Sequence, residues 1–253
     1  AGVVIAALDV TERAEAERLR TDFVANASHE LRTPLSAIKG AVETLHGGAE
    51  EEPVIRGRLL RMIADNAVRL EDLTRDLLDL SRLEGGETPV SVSAVDLAET
   101  EASLRAHFAA TLAERPVRLI FTMNAGLGVV RTDARLLMLI LRNLIENALK
   151  FAYDRTDVVV TARATRGEDG ERLVRWSVAD RGIGIPSEQQ ARIFERFYQV
   201  DGSRAGNGPK GTGLGLAIVR HAVKSLGGSI RVESVWKQGT TMIVDLPEPA
   251  STP

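Results

Sequence analysis

The chain has 253 residues, 44% of them hydrophobic and 26% charged, with a formal net charge of -3. This is the make-up of a globular protein of one large domain or two modest ones, with no bulk charge to attract nucleic acid. The absence of cysteine excludes disulfides, thiolate catalysis and Cys-based metal sites.

In chain order, "AGVVIAALDV" reads as a strand running into a helix start, with Asp9 as cap and Glu12 three residues on. Helical periodicity then predicts a helix from Glu12 to about His46. A stop and turn follow at "GGAEEEP", and a second helix runs to Leu83 before Gly85 and Gly86. In the second helix Leu59, Ile63, Asn66, Leu70, Leu73, Leu77 and Leu80 alternate at spacings of four and three. That is a heptad seam with one polar member, Asn66, of the kind that fixes register. Leu31, Leu35, Ile38, Val42 and Leu45 continue the pattern in the first helix. Two such helices joined by a short turn form a hairpin with an unburied apolar stripe. The expectation is that a second copy closes it into a dimeric four-helix bundle; the alternative is packing on the C-terminal part of the chain.

The stretch "GGETPVSVSAV" is a linker by composition. Beyond it the sequence predicts a helix from Asp96 to Glu114, a strand from Val117 to Phe121 and a long apolar helix from Asp133 to Phe151. "DVVVTAR" and "RLVRWSVAD" read as paired strands around a "GEDG" turn. A Gly-rich stretch from Gly202 to Gly215 leads into the helix "LGLAIVRHAVKSL", and "GSIRVES" and "TTMIVDL" read as a closing hairpin. Helices mixed with strands in this way indicate an α/β sheet domain. No internal repeat is present. No signal peptide and no long uncharged apolar run occurs. Because the chain starts without Met in strand-like sequence, the expectation is a cytoplasmic fragment of a longer protein, with room for a membrane anchor upstream. No membrane contact by the fragment itself is expected.

Four places carry chemistry. His29 and Thr33, at i and i+4, share a helix face away from the apolar seam, with Glu30 beside His29. A neutral imidazole is a nucleophile near pH 7, and a neighbouring carboxylate can take the proton of its second nitrogen. The pair is no zinc-protease motif, since position 33 is Thr; the plain alternative is a surface histidine. His46, His107 and His221 have no comparable setting. Pro34 sits inside the same helix, where it costs about 3 kcal/mol. In the long helix, Asn143, Glu146, Asn147 and Lys150 form one polar stripe. Amide oxygens suit Mg²⁺, which typically brings phosphates within reach of Lys150; the alternative is a solvated face. Asp180 shares the parity of Val174, Trp176 and Val178 and precedes Gly182 and Gly184. A buried acceptor there can read the amino group of adenine, or else the Asp only ends the strand in a turn. "GTGLGL" places Gly211, Gly213 and Gly215 at a helix entrance, suited to phosphate or to a hinge. It is neither a Walker A loop nor a dinucleotide fingerprint.

Taken in order, "SHELRTPL", "RNLIENALKFA", "DRGIGIP", "IFERFYQVD" and "GTGLGLAI" resemble the five motif boxes of sensor histidine kinases, from about Thr21 to Pro247. The first residues also look like the last strand of a PAS sensor domain and its signalling helix. The resemblance implies four parts. Residues 1–11 would be the tail of a sensor domain, 12–86 a dimerisation and phosphotransfer domain, 87–94 a linker, and 95–250 a catalytic ATP-binding domain of the GHKL or Bergerat type. It implies ATP and Mg²⁺ as cofactors, and a homodimer and a response regulator receiver domain as partners. His29 would be phosphorylated, with Glu30 as base and Thr33 aiding dephosphorylation of the regulator. Asn143 and Asn147 would hold Mg²⁺, Lys150 the phosphates, and Phe151 would line the nucleotide site. Asp180, Gly182 and Gly184 would form the adenine pocket, and Gly211, Thr212, Gly213, Leu214 and Gly215 the phosphate cradle. Many relatives have Arg where this chain has Gln199, which points to Lys210, or Arg204, as a substitute charge. Pro34 would let the helix bend as a switch. The rival readings are a predominantly phosphatase protein and a nucleotide-bound scaffold with weak kinase activity. Gyrase-like ATPases share the nucleotide boxes but lack "SHELRTP".

Overall fold

The computed structural model describes residues 11–85, 89–124, 127–167, 169–200 and 211–248, with the side chains of 11–22 and 50 excepted. The strand and cap expected over the first ten residues, and Arg204 and Lys210, lie outside them. The chain divides into two compact units, residues 1–77 and 78–253, each described by itself.

The first unit is helical. Helix α1 spans Thr11–His46 without interruption at Pro34, and α2 spans Pro53–Glu84. Between them Gly48 takes a left-handed φ of 106° at the head of a single 3₁₀ turn, Ala49–Glu51. Pro53 opens α2, at a position where a missing N–H is harmless. The helices run antiparallel. Glu30 lies 16 residues before His46 and Arg69 lies 16 residues after Pro53, and their side chains meet at 3.4 Å. The α2 seam falls where its spacing puts it. Leu59 and Leu73 are buried, and Ile63, Asn66, Leu70 and Leu77 half-buried. Asn66 turns its amide nitrogen back onto the Met62 carbonyl of its own helix at 2.7 Å.

Of the expected α1 seam, Leu31, Ile38 and Leu45 are half-buried, and Leu35 and Val42 lie exposed in the single chain. Pro34 and Ala41 are the buried residues, whereas Leu35 and Val42 are 59% and 37% exposed. One residue is a rotation of about 100°. The face that meets α2 is therefore centred on Pro34 and Ala41, and Leu35 and Val42 border it on the solvent side. The proline ring occupies that inner face, where its missing N–H leaves the Glu30 carbonyl without its intrahelical bond.

Among its described residues the second unit layers α-helices on a sheet. Its five strands are β2 (Arg118–Met123), β4 (Asp157–Arg166), β5 (Arg172–Asp180), β6 (Ser229–Val235) and β7 (Gly239–Pro247), in the order β2-β4-β5-β7-β6. The β2–β4 pair is parallel and the others antiparallel. A separate antiparallel pair joins β1 (Ser93–Asp96) to β3 (Val129–Thr132). Neither was expected: β1 lies at the end of the stretch read as linker. The helices are α3 (Leu97–Glu114), α4 (Ala134–Phe151) and α5 (Gly215–Ser225).

Alternation on the strands sets the layers. Val158, Val160 and Ala162 of β4, Val174, Trp176 and Val178 of β5, and Met242, Val244 and Leu246 of β7 are all buried in one core with the helices. Each large aliphatic side chain buried there contributes about 1.5–3 kcal/mol. Helix α4 is its centrepiece, with Leu136, Leu137, Ile140, Leu141, Leu144, Ile145, Ala148 and Leu149 buried. Asp133 caps it, accepting from the Leu136 N–H at 3.0 Å, and its second oxygen accepts from Ser91 N–H at 2.9 Å. Asp96 caps α3 in the same way, through the N–H groups of Ala98 and Glu99. The predicted helices at 96–114 and 133–151 thus begin one residue later than their capping aspartates.

Candidate functional site

The candidate slot lies in the second unit, where the C-terminal end of α4 meets the loop after β5. Asp180 ends β5 on the parity of its buried residues. Its Oδ1 is buried and has no hydrogen-bond partner. Burial pushes its pKa up to about 7, against the Thr240 backbone N–H, which pulls it down. A carboxylate oxygen left this way is an acceptor waiting for a donor. Gly182 permits a close approach: a Cβ there would lie 2.1 Å from the Phe151 carbonyl oxygen and 2.7 Å from Asp180 Oδ1, so only glycine fits against them. The loop is stitched on both sides. Ile183 N–H donates to Phe151 O at 3.2 Å, Tyr153 N–H to Arg181 O at 2.8 Å, and Lys237 N–H to Ile183 O at 2.7 Å. Gly184, with φ 64°, packs against the Val235 carbonyl. The expected pair of Asp180 and the glycines is thus brought together with Phe151.

The polar stripe of α4 faces the second Gly-rich stretch. Asn143 donates its amide nitrogen to the Leu139 carbonyl at 2.9 Å, which leaves Oδ1 turned outward. A Cβ on Gly215 would stand 2.8 Å from that oxygen and 3.8 Å from Asn147 Nδ2. Lys150 reaches the same stretch, since a Cβ on Gly211 would lie 2.6 Å from its Nζ. That Nζ also sits 5.3 Å from the centre of the Phe151 ring. Gly213 has φ 73° and packs on the Phe197 backbone, its carbonyl accepting from Phe197 N–H at 2.8 Å. Thr212 Oγ1 accepts from Leu214 N–H at 3.2 Å, Leu214 is buried, and no side chain caps the start of α5. An uncapped helix entrance of small residues, with a lysine ammonium opposite, is suited to phosphate.

Among the described residues no group of three or more His, Asp and Glu could hold a metal ion. The oxygen donor on hand is the outward Oδ1 of Asn143, with Asn147 one turn on, and a hard amide oxygen fits Mg²⁺. Gln199 does not extend a free head group into the slot. Its Nε2 donates to the Gly211 carbonyl at 2.7 Å.

In the first unit His29 is exposed on α1 and Thr33 is exposed one turn later, its Oγ1 donating to the His29 carbonyl at 3.3 Å. Glu30 is half-buried and turned to the facing helix, where Oε2 meets Arg69 at 3.4 Å. The shared face of His29 and Thr33 is as the spacing predicts. The Glu30–Arg69 pair was not legible, because the two residues lie 39 apart in the chain and only the hairpin register unites them.

Comparisons with known proteins agree with this layout. Residues 19–86 match the family model of the His Kinase A (phospho-acceptor) domain. Residues 132–250 match that of the Histidine kinase-, DNA gyrase B-, and HSP90-like ATPase. The Sensor-like histidine kinase SenX3 of Mycolicibacterium smegmatis is 38% identical over 243 residues, covering 95% of this chain and 60% of that protein. SenX3 of Mycobacterium tuberculosis is 38% identical over 241 residues, covering 94% of this chain and 56% of that protein. The chain thus spans less than two thirds of these curated relatives. Among solved structures, full-length ShkA in complex with AMPPNP matches with a TM-score of 0.64 at 29% identity, over 92% of this chain and 46% of that one. Histidine kinase AdeS of Acinetobacter baumannii shares the fold with a TM-score of 0.67 at 20% identity, over 87% of this chain and 98% of that one. No helix among the described residues is long and apolar enough to cross a membrane. A helical hairpin matching the phosphoacceptor model, followed by an α/β domain matching the ATPase model, places this chain in the family of two-component sensor histidine kinases, of which it carries the kinase core.

Proposed function

We propose that the chain autophosphorylates His29 from ATP and passes the phosphoryl group to an aspartate of a response regulator. The observation that carries the nucleotide half is Asp180, whose buried Oδ1 has no partner, beside Gly182, which packs closely on the Phe151 carbonyl. An adenine amino group supplies the missing donor. ShkA, which is 29% identical, was solved with AMPPNP, in keeping with this slot. Phe151, Gly182 and Gly184 then bound the base. Lys150 and the backbone of Gly211, Thr212, Gly213, Leu214 and Gly215 take the phosphates, and Asn143 with Asn147 holds Mg²⁺. The ion offsets phosphate charge when bound. Lys210 is proposed as an added cation for the phosphates, since the Gln199 amide is engaged with Gly211.

His29 supplies the nucleophile. One ring nitrogen forms a bond to the γ-phosphorus as the bond from that phosphorus to the β,γ-bridging oxygen breaks, and ADP leaves. The attacking imidazole gives up the proton on its other nitrogen to Glu30 or to water, leaving a phosphoramidate whose ring is neutral and whose phosphoryl group is anionic. Arg69 holds Glu30 Oε2, so the free oxygen Oε1 is the proposed acceptor. Transfer of this kind is mostly positioning and electrostatics. A receiver-domain aspartate is the next acceptor. Thr33, exposed one turn beyond His29, is proposed to orient water for hydrolysis of the regulator's phosphoaspartate. The stripe of Leu35 and Val42 on α1 suits pairing with a second copy as a homodimer.

Incubation with magnesium and γ-labelled ATP tests the reading. The expected result is acid-labile, alkali-stable label on the protein, absent in His29→Gln and reduced at least a hundredfold in Asp180→Asn. Free phosphate released with no labelled protein would instead make the chain an ATPase and end the kinase proposal.

A further inference from the structure

The proposed mechanism leaves Arg115 unused, yet its side chain bonds several carbonyls at the end of the nucleotide-side helix. Arg115 follows α3, in the extended conformation (φ -125°, ψ 137°) that a residue before proline favours. Its guanidinium spreads over the C-terminal turn of α4. Nη1 donates to the carbonyls of Leu149 and Lys150, the latter at 3.3 Å. Nη2 donates to the Ala152 carbonyl at 3.1 Å and to Asp154 Oδ1 at 3.0 Å. Two carbonyls remain in that turn, and both are taken: Ala148 O accepts from Ala152 N–H at 2.9 Å and Phe151 O from Ile183 N–H at 3.2 Å.

The last carbonyls of a helix have no intrahelical donor, and a cation there also complements the helix dipole. Here they are divided between one guanidinium and the loop of Gly182. Arg115 takes the carbonyls on either side of Phe151 and leaves Phe151 itself to the loop. Its own backbone is fixed, with Arg115 O accepting from Val117 N–H at 2.8 Å and Pro116 O from Arg155 N–H at 2.6 Å. Everything proposed to touch nucleotide at this end hangs on the same turn: Lys150, Phe151 and, through Phe151 O, the loop facing Asp180. Most of the packing of α4 lies before this turn, from Leu136 to Ile145, although Ala148, Leu149 and Ala152 also join the core, so loss of the clamp loosens one turn and leaves the larger part of the core in place.

We propose that Arg115 is a positioning residue for nucleotide binding, fixing the final turn of α4 so that Lys150, Phe151 and the Gly182 loop face one slot together. This rests on the nucleotide reading above. A lysine cannot replace it, because a single ammonium lacks the planar fork that spans four oxygens.

The test is ADP affinity by calorimetry on the full chain, well below the melting temperature, beside a thermal melt. Arg115→Met is expected to weaken ADP at least tenfold with a small fall in Tm, and Arg115→Lys to weaken it about fivefold. Methylguanidinium added to Arg115→Ala is expected to restore part of the lost affinity. Arg115→Met binding ADP within twofold of the parent, whatever its Tm, would show an ordinary structural cap and overturn the proposal. Where Arg115→Met does not fold, Arg115→Lys decides, and parental affinity there overturns it equally. Failure of the parent protein to bind ADP would be a separate result, refuting the nucleotide reading itself.

Discussion

At Asp180 folding and binding make opposite demands. Burial raises its pKa from 3.8 to about 7. The folded state therefore holds its proton more tightly than the unfolded chain, and stability from this group is greatest below about pH 4 and declines until about pH 7. Over that window the parent is expected to lose up to about 4 kcal/mol relative to Asp180→Asn, read from thermal melts of both proteins at a series of pH values. The proposed adenine contact needs the opposite state, since an ionised carboxylate accepts through both oxygens and a protonated one gives up part of that capacity. ADP affinity of the parent is expected to fall as pH drops below about 7, while Asp180→Asn binds weakly with a flat profile; a flat profile in the parent would remove Asp180 from the adenine site. Asp180 was legible in the sequence because strand parity alone places it with Val174, Trp176 and Val178. His29 and Thr33 were legible through helical spacing. Arg69 and Arg115 were not. Each meets partners 34 to 39 residues away, and no local pattern records such a meeting.

Among the elements, α4 joins the core to the site. Its inner face is buried along its length and its polar stripe carries Asn143, Asn147 and Lys150. Asp133 governs its start, being almost fully buried and bonded through both oxygens. Asp133→Ala removes a cap and leaves the Ser91 N–H without its acceptor. The expected loss is about 2 kcal/mol, seen as a lower urea midpoint with an unchanged slope; a midpoint equal to the parent's would deny the cap its role. The helices were readable because periodicity and capping act within one segment. The pair β1 and β3 escaped, since each has only four residues and their partnership spans more than thirty positions. The α1 seam was legible only in part for a related reason. The heptad pattern marks every apolar residue near the interface, and only the packing of α2 selects Pro34 and Ala41 over Leu35 and Val42.

At the scale of the whole chain, one helix displays an exposed imidazole and a separate α/β unit holds a slot with an unmet acceptor. Neither alone distinguishes a kinase from a structural hairpin or a nucleotide-binding domain, and it is their presence in one chain, with the family membership, that gives the reading its force. The order of motifs made both units foreseeable, whereas the contacts that brace the slot emerged only from the fold. The most direct measurement is mass spectrometry of peptides from the chain after incubation with magnesium and ATP, kept cold and at neutral to alkaline pH to preserve a phosphoramidate. The account predicts an added phosphoryl group on the peptide containing His29, localised to that side chain and missing when the nucleotide is ADP. Phosphate found only on other residues, or none after prolonged incubation with nucleotide shown to be bound, would contradict it.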